Sequence, residues 1–288
     1  MKKYLVPVDG SINSEIALKT AVDLAEKTGA SITLISILDS DTFLTNNHIG
    51  VSTSEIIEQN TENIGVLLDN LIDTYNDKNI KFEKKITTGN IANEILAESE
   101  EGYEMIIIGS RGLTTLKRTF LGSVSNKVVN SSRISTLVVK AYYNNDFSHI
   151  LVPVDGSTNS KRAAYIASDL GKLYDSELTL LNVITQLQVP DVRGVDFGVV
   201  QDYYPISTKN SENLLNEYAK SIEDYPNKMI LQTKIGNVAD AILETADEQE
   251  DNLIIIGSKG KGAISRAFMG SVSNAVIHHT KRSVLVIK

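Results

Sequence analysis

Short apolar runs alternate with amphipathic stretches along the whole chain. Residues 4–8 and 105–108 are apolar and β-branched runs of strand length, while residues 57–75 carry apolar side chains at helical spacing, with Asn60 as the one polar position in the stripe. Uninterrupted apolar strands between helices predict a parallel sheet that is covered on both faces. Right-handed crossovers then give an open, doubly wound α/β fold.

The first half of the chain predicts five strands separated by helices. The strand at residues 81–87 is more polar than the others, which favours a place near the edge of the sheet. Helices are expected from about Ile16, over 57–75, from Ile91 and over 123–130. The predicted strands are residues 4–8, 31–38, 81–87, 105–108 and 136–140.

The second half repeats the first. Residues 5–11 (LVPVDGS) recur letter for letter as residues 151–157, and the Gly-Asn turn at residues 89–92 recurs at 236–239. A period this long is a duplication of a whole domain rather than a solenoid repeat. With 288 residues in the chain, we predict two tandem domains, residues 1–141 and 148–288.

Each half also contains the same glycine frame, G-x-x-G, nine residues, then G-S-V-S-N, after a predicted strand and before a predicted helix. Glycines let the backbone approach a ligand, and the N–H groups of the loop and of the helix N-terminus then face an anion. The frame matches neither a P-loop nor G-x-G-x-x-G. The alternative is that the glycines only end a strand and open a helix. Two copies at one spacing favour a shared phosphate site. Its residues are Gly109, Gly112, Gly122, Ser123, Val124 and Ser125, and in the second copy Gly257, Gly260, Gly270, Ser271, Val272 and Ser273.

Composition narrows the possible functions. The net charge of −8 argues against non-specific binding to nucleic acid or to an anionic membrane, and the lack of cysteine excludes disulfides, thiolate metal sites and cysteine nucleophiles. No apolar run reaches the length of a membrane span, and the run after Lys2 and Lys3 stops at Asp9. The four histidines show no metal-ligand spacing. We expect a cytoplasmic protein without a dedicated metal site.

On these motifs the sequence resembles the universal stress protein family over nearly its whole length, as two fused domains. The resemblance is carried by Pro-Val-Asp-Gly-Ser near the start of each half, the Gly-Asn turn, and the glycine frame, which matches the family's ATP-binding signature. It implies two tandem doubly wound five-stranded parallel-sheet domains of the Rossmann-like, adenine nucleotide alpha hydrolase-like type. It also implies ATP as the ligand, with Mg²⁺ as an optional companion held mostly by the phosphates.

The resemblance further implies a role for individual residues. Asp9 would meet the ribose or the adenine edge, Ile37 would face adenine, and Pro7 would shape the turn beside the base. Gly109 and Gly112 would bracket the ribose and first phosphates, and the Gly122 to Ser125 segment would hold the outer phosphates. The corresponding residues of the second half are Pro153, Asp155, Val183, Gly257, Gly260, Gly270, Ser271, Val272 and Ser273.

Several of these positions have a structural alternative. Asp9 and Asp155 can serve only as Asx-turn residues before a helix. Ile37 and Val183 can be ordinary core residues at strand ends. Arg118 and Arg266, which share one position in the nine-residue spacer, can neutralise phosphate or form a solvated loop face. Ser123 and Ser271 are expected near the helix N-cap, where a hydroxyl caps the helix or donates to a phosphate oxygen.

The resemblance also bears on how the domains pair, and the segment after the second strand bears on what could cover the site. Family members commonly pair through their last strand, so the resemblance implies an intramolecular pseudo-dimer of the two domains, and possible homodimers. Ser135 and Ser283 stand in the region where the family commonly has a proline. The segment after the second strand differs in length between the halves, 39–53 against 185–207, and is either a lid or a surface loop.

We see no catalytic constellation in the sequence, and therefore expect a nucleotide-dependent stress-response regulator rather than an enzyme. The alternatives are slow ATP hydrolysis or autophosphorylation, or an interaction protein whose pockets are empty or hold AMP or a cyclic nucleotide. An electron-transfer flavoprotein-like role shares the fold class.

Overall fold

The computed structural model describes residues 2–40, 53–112, 121–141, 146–185, 197–250, 252–260 and 269–288. The chain forms two compact units, Met1–Ala141 and Tyr142–Lys288, called here the first and second domain. In the described residues no helix is both long enough and apolar enough to cross a membrane.

The first domain is a five-stranded parallel sheet with helices between its strands. The sheet order is β3-β2-β1-β4-β5. The strands β2 and β3 therefore lie on one side of β1, and β4 and β5 lie on the other. Its elements are β1 (Lys3–Pro7), α1 (Ile12–Thr28), β2 (Ser31–Asp39), α2 (Thr53–Asp73), β3 (Phe82–Gly89), α3 (Ile91–Glu98), β4 (Met105–Gly109), α4 (Ser123–Ser131) and β5 (Ser135–Val139).

The second domain repeats this architecture. Its five strands are again parallel, in the order β8-β7-β6-β9-β10. Its elements are β6 (His149–Pro153), α5 (Thr158–Tyr174), β7 (Glu177–Thr185), α6 (Phe197–Ser221), β8 (Met229–Gly236), α7 (Val238–Glu248), β9 (Leu253–Gly257), α8 (Ser271–His279) and β10 (Ser283–Ile287). The doubly wound α/β fold predicted from the sequence is confirmed in both domains.

The burial of each strand follows its place in the sheet. Leu5 and Val6 of β1, and Ile106 and Ile107 of β4, are fully buried because helices cover both faces of these central strands. The edge strand β3 is only partly buried along its length, which confirms its predicted position. Its charged side chains reach across to the helices, as in the Lys85–Glu98 ion pair.

One predicted loop is partly helical. Residues 185–207 are expected to form a lid or a surface loop, whereas α6 begins at Phe197 and runs through Pro205. A proline inside a helix removes one backbone hydrogen bond, and a helix of 25 residues retains its other bonds. Residues 186–196 and 41–52 lie outside the described residues, so the lid interpretation stays untested there.

Candidate functional site at the carboxyl ends of the strands

A cavity of about 370 Å³ lies at the carboxyl ends of β1, β2 and β4 in the first domain. This is the switch point of the sheet, where open α/β folds bind their ligands. Two motifs about 100 residues apart in the chain meet here because β1 and β4 are neighbours in the sheet. The cavity is lined by every residue predicted for this half, Pro7, Asp9, Ile37, Gly109, Gly112, Gly122, Ser123, Val124 and Ser125.

The start of α4 forms one wall of the cavity. The Gly122 N–H donates to the Ser110 carbonyl at 2.8 Å, and the Ser125 hydroxyl donates to the Gly109 carbonyl at 2.7 Å. These two bonds fix the helix end against the end of β4. The first turn of α4 is thereby held in place at the cavity wall.

Ser123 lies next to the N-cap of α4, as expected, but the N-cap residue itself is Gly122, so of the two alternatives for the Ser123 hydroxyl the capping one is not observed. Gly122 has the extended conformation of an N-cap residue (φ −64°, ψ 155°), and no side chain caps this helix. Ser123 is the first residue of the helix and is exposed. The first N–H groups of a helix have no acceptor within it. The N-terminus of α4 therefore offers uncapped N–H groups to an anion in the cavity.

Two glycines of the frame are in close contact with the β1–α1 turn. A Cβ atom on Gly112 would lie 2.5 Å from Asp9 Oδ2, and a Cβ atom on Gly109 would lie 2.6 Å from the Asn13 carbonyl oxygen. The first contact involves a flexible side chain, and the second involves the backbone of α1. Gly109 is therefore required by the packing of the domain, in addition to its place in the cavity.

Asp9 forms the Asx turn that the sequence offered as one of its two roles. Its Oδ1 accepts hydrogen bonds from the Ser11 N–H at 3.0 Å and the Ser11 hydroxyl at 2.6 Å, which is an Asx turn. Ser11 then caps α1 by accepting from the Ser14 N–H at 3.2 Å. The other oxygen, Oδ2, faces Gly112. The turn thus holds one carboxylate oxygen at the cavity.

Apolar side chains form the wall beside β2. Ile37 is half-buried between the buried residues Ser36 and Leu38, because its side chain borders the cavity instead of the core. Ile64 and Leu67 of α2 line the same cavity. The cavity therefore combines uncapped N–H groups on one side with an apolar surface on the other.

The second domain repeats the polar contacts of the frame. The Gly270 N–H donates to the Ser258 carbonyl at 2.8 Å, and the Ser273 hydroxyl donates to the Gly257 carbonyl at 2.8 Å. Gly270 is an N-cap residue without a side-chain cap, so Ser271 is not the cap either and, with Val272, lies in the first turn of α8.

The aspartate turn is repeated as well. Asp155 Oδ1 accepts from the Ser157 N–H at 3.0 Å, and a Cβ atom on Gly260 would lie 2.6 Å from Asp155 Oδ2. Pro153 ends β6, and Val183 is a half-buried residue of β7. The predicted residues of the second half therefore occupy the same places in the fold as those of the first. The binding roles of both sets stay predictions.

A buried or half-buried lysine near each frame, Lys140 or Lys288, was missed from the sequence. Arg111 lines the first cavity, and Lys140 follows β5, whose Val139 carbonyl accepts from the Ser110 N–H at 2.9 Å. Burial, with a smaller contribution from Arg111, lowers the pKa of Lys140 to about 8. Burial and Lys259 likewise lower the pKa of Lys288 to about 8. A lysine after the last strand of each half was the signal in the sequence. Arg118 and Arg266 lie outside the described residues.

We expect Lys140 to make the stability of the first domain depend on pH. Because its pKa falls from 10.5 to about 8 on folding, the folded state binds fewer protons than the unfolded chain between these values. The resulting destabilisation, about 3 kcal/mol for a shift of this size, is complete below pH 8 and disappears as the pH rises towards 10.5. In urea denaturation between about pH 7.5 and 9.5, Lys140→Met should flatten this rise. An unchanged slope in the variant would contradict the assignment.

The described residues contain no group of three or more His, Asp or Glu side chains that could hold a metal ion. A nucleotide fits the cavity better than a protein-bound metal does, since the cavity offers N–H donors, a cation and an apolar wall. Any Mg²⁺ would then be held mostly by phosphate oxygens.

Comparisons with known proteins agree with the fold and the duplication. The universal stress protein family model matches residues 1–140 and again 146–288. A universal stress protein of Mycobacterium tuberculosis is 28% identical over 199 residues, which are 67% of this chain and 64% of that protein. One of Mycolicibacterium smegmatis is 25% identical over 99% of this chain and 96% of its own length. The crystal structure of a universal stress protein from Archaeoglobus fulgidus superposes with a TM-score of 0.71 at 23% identity, over 99% of this chain and 98% of that one.

Proposed function

The chain belongs to the universal stress protein family, and we propose that each of its two domains binds ATP and that nucleotide occupancy regulates a stress response in the cytoplasm. The observation that carries this proposal is the glycine frame, which in both domains ends in an uncapped helix N-terminus fixed to the end of a central strand. A binding site of this form, built twice in one chain, favours a recurring ligand.

The polar side of the cavity suits the phosphates. The uncapped N–H groups of Ser123, Val124 and Ser125 would donate to phosphate oxygens, and the partial positive charge of the helix N-terminus favours an anion. Arg111 adds a full positive charge at the same cavity. A chain with a net charge of −8 needs such a local concentration of donors to hold a polyphosphate.

The apolar side suits the base. Ile37, Ile64 and Leu67 would pack against a purine ring, whose faces are apolar, while Asp9, which lines the same cavity, would accept from the ribose or the base edge. In this arrangement the ligand spans the cavity from α2 to α4. The β1–α1 turn then lies between the base and the phosphates.

Binding is a better account of this site than turnover. Of the described residues that line the cavity, Asp9 and Asp39 are the carboxylates, and Asp9 Oδ1 is already bonded to Ser11. In the proposed arrangement the other oxygen of Asp9 accepts from the ribose or the base edge, and Asp39 ends β2 on the base side, whereas a general base has to reach the group that attacks the phosphates. We therefore propose a nucleotide-binding regulator and treat slow hydrolysis as an outcome to be tested.

The first test is to denature the purified protein and identify the released small molecules by mass spectrometry, with their stoichiometry. We expect ATP or ADP near two per chain, since both frames have the same local geometry. Release of AMP or a cyclic nucleotide would mean that the ligand is that nucleotide and not ATP. Release of a flavin would contradict the proposed ATP binding and favour the flavoprotein-like role. No released nucleotide, followed by no binding of added Mg-ATP, would refute it.

A further inference from the structure

The two domains have the same phosphate-side geometry but differ in the opposite wall of the site. The pairing of the strands shows which residues of the two domains are equivalent. Ser36 pairs with Ile86 in the first domain, and Asn182 pairs with Thr233 in the second. Ile86 and Thr233 each lie three residues before the glycine that ends the strand. Asn182 therefore stands where the first domain has Ser36, a residue that lines the first cavity. The comparison concerns the base side of the proposed nucleotide site.

The helix that packs beside this wall, α2 in the first domain and α6 in the second, is also more polar in the second domain. Leu68 of α2 and Leu215 of α6 are both buried. They are equivalent by position, because each lies 21 residues before the glycine that ends the following strand, Gly89 or Gly236.

Ile64 lies four residues before Leu68 and lines the first cavity. Ser211 lies four residues before Leu215, and its hydroxyl is 2.7 Å from the Thr233 hydroxyl. An apolar side chain in the first domain is thus replaced in the second by a hydroxyl-bearing one that pairs with another hydroxyl. The second wall is the more polar of the two.

Asn182 has a fixed orientation. Its Nδ2 donates to the Val154 carbonyl at 2.6 Å, and Val154 occupies the position of Val8, another residue that lines the first cavity. Because a carbonyl only accepts, this bond assigns the amide nitrogen to Val154 and leaves Oδ1 as an acceptor. The Ser36 hydroxyl, in contrast, can rotate and can donate or accept.

We propose that Asn182 determines the base selectivity of the second domain, where its Oδ1 accepts a hydrogen bond from an exocyclic amino group of a purine. The inference rests on the proposed nucleotide binding. A purine with a 6-amino group matches this acceptor, and a purine with a 6-oxo group places a second acceptor against it. The first domain, with Ser36, accommodates either group.

The test compares ATP, inosine triphosphate and inorganic tripolyphosphate on the full chain. Gly122→Val closes the first site so that the second is measured, and Gly270→Val does the reverse. By calorimetry we expect inosine triphosphate to bind about tenfold more weakly than ATP in the second domain, and within about threefold of ATP in the first, as one hydrogen bond implies. Tripolyphosphate reports the phosphate side alone.

Asn182→Ser then copies the first domain's residue into the second. We expect the tenfold preference for ATP to fall to about threefold or less, with tripolyphosphate affinity unchanged and thermal stability somewhat lowered by the loss of the bond to the Val154 carbonyl. The reciprocal Ser36→Asn should create the preference in the first domain. Thermal unfolding identifies any variant that fails to fold.

The outcomes separate this inference from the proposed function. ATP binding in both domains with the same preference in wild type and Asn182→Ser refutes the inference and leaves nucleotide binding standing. Loss of tripolyphosphate binding in Asn182→Ser also refutes it, because the residue then supports the whole site. If neither ATP nor tripolyphosphate binds to either domain, the proposed function fails and the inference fails with it.

Discussion

Gly122→Val should abolish ATP binding in the first domain while the domain stays folded. A Cβ atom at this position would make its closest contact with Arg111 Cα at 3.4 Å, and the extended backbone of Gly122 (φ −64°, ψ 155°) suits valine. The branched side chain would, however, occupy space where phosphates meet the first turn of α4. Loss of two hydrogen bonds to charged oxygens corresponds to about 100-fold or more in affinity.

The second domain supplies the matched control. A Cβ atom on Gly270 has equally ordinary contacts, the closest being the Ser258 carbonyl oxygen at 3.5 Å. In calorimetric titration with Mg-ATP, each single variant should halve the stoichiometry, and the double variant should bind none. Undiminished affinity in the first domain of Gly122→Val would show that the glycine frame is not the phosphate site.

Much of the fold was predictable from the sequence because burial imposes the pattern. A strand covered on both faces must be apolar throughout, as in β4, whereas the edge strand β3 keeps charged residues that pair with neighbouring helices. Because the chain is duplicated, the pattern that predicts each strand or helix in one half could be compared with its copy in the other half. The start of α6 at Phe197 was not predicted, since sequence alone does not reveal whether a helix continues through a proline such as Pro205.

The predicted site residues come together because their motifs follow adjacent strands, which is a property of the topology. Contacts between motifs were not predictable. Gly112 resembles a phosphate-loop glycine in sequence, but its missing Cβ makes room for Asp9. The capping glycine at position 122 and the burial of Lys140 likewise depend on how α4 and β5 meet the end of β4.

Gly109 and Gly122 belong to one motif but should respond very differently to alanine. A Cβ atom on Gly109 would lie 2.6 Å from the Asn13 carbonyl oxygen and 2.7 Å from its carbon. Both are backbone atoms of α1, so the helix and β4 have to separate. We expect Gly109→Ala to lower the free energy of unfolding of the first domain by about 2 kcal/mol, in the range of overpacked core substitutions.

Gly122→Ala is the control and should change the free energy of unfolding by less than about 0.5 kcal/mol, because its new contacts are ordinary. Urea denaturation followed by circular dichroism measures the change, and hydrogen exchange of the β1 and β4 peptides assigns it to the first domain. Equal stability of the two variants would mean that α1 adapts at no cost. The expected difference also decides how binding is tested. A loss of ATP in Gly109→Ala would reflect a displaced α1 as much as a missing ligand contact, whereas a loss in Gly122→Val reflects the phosphate side of the cavity.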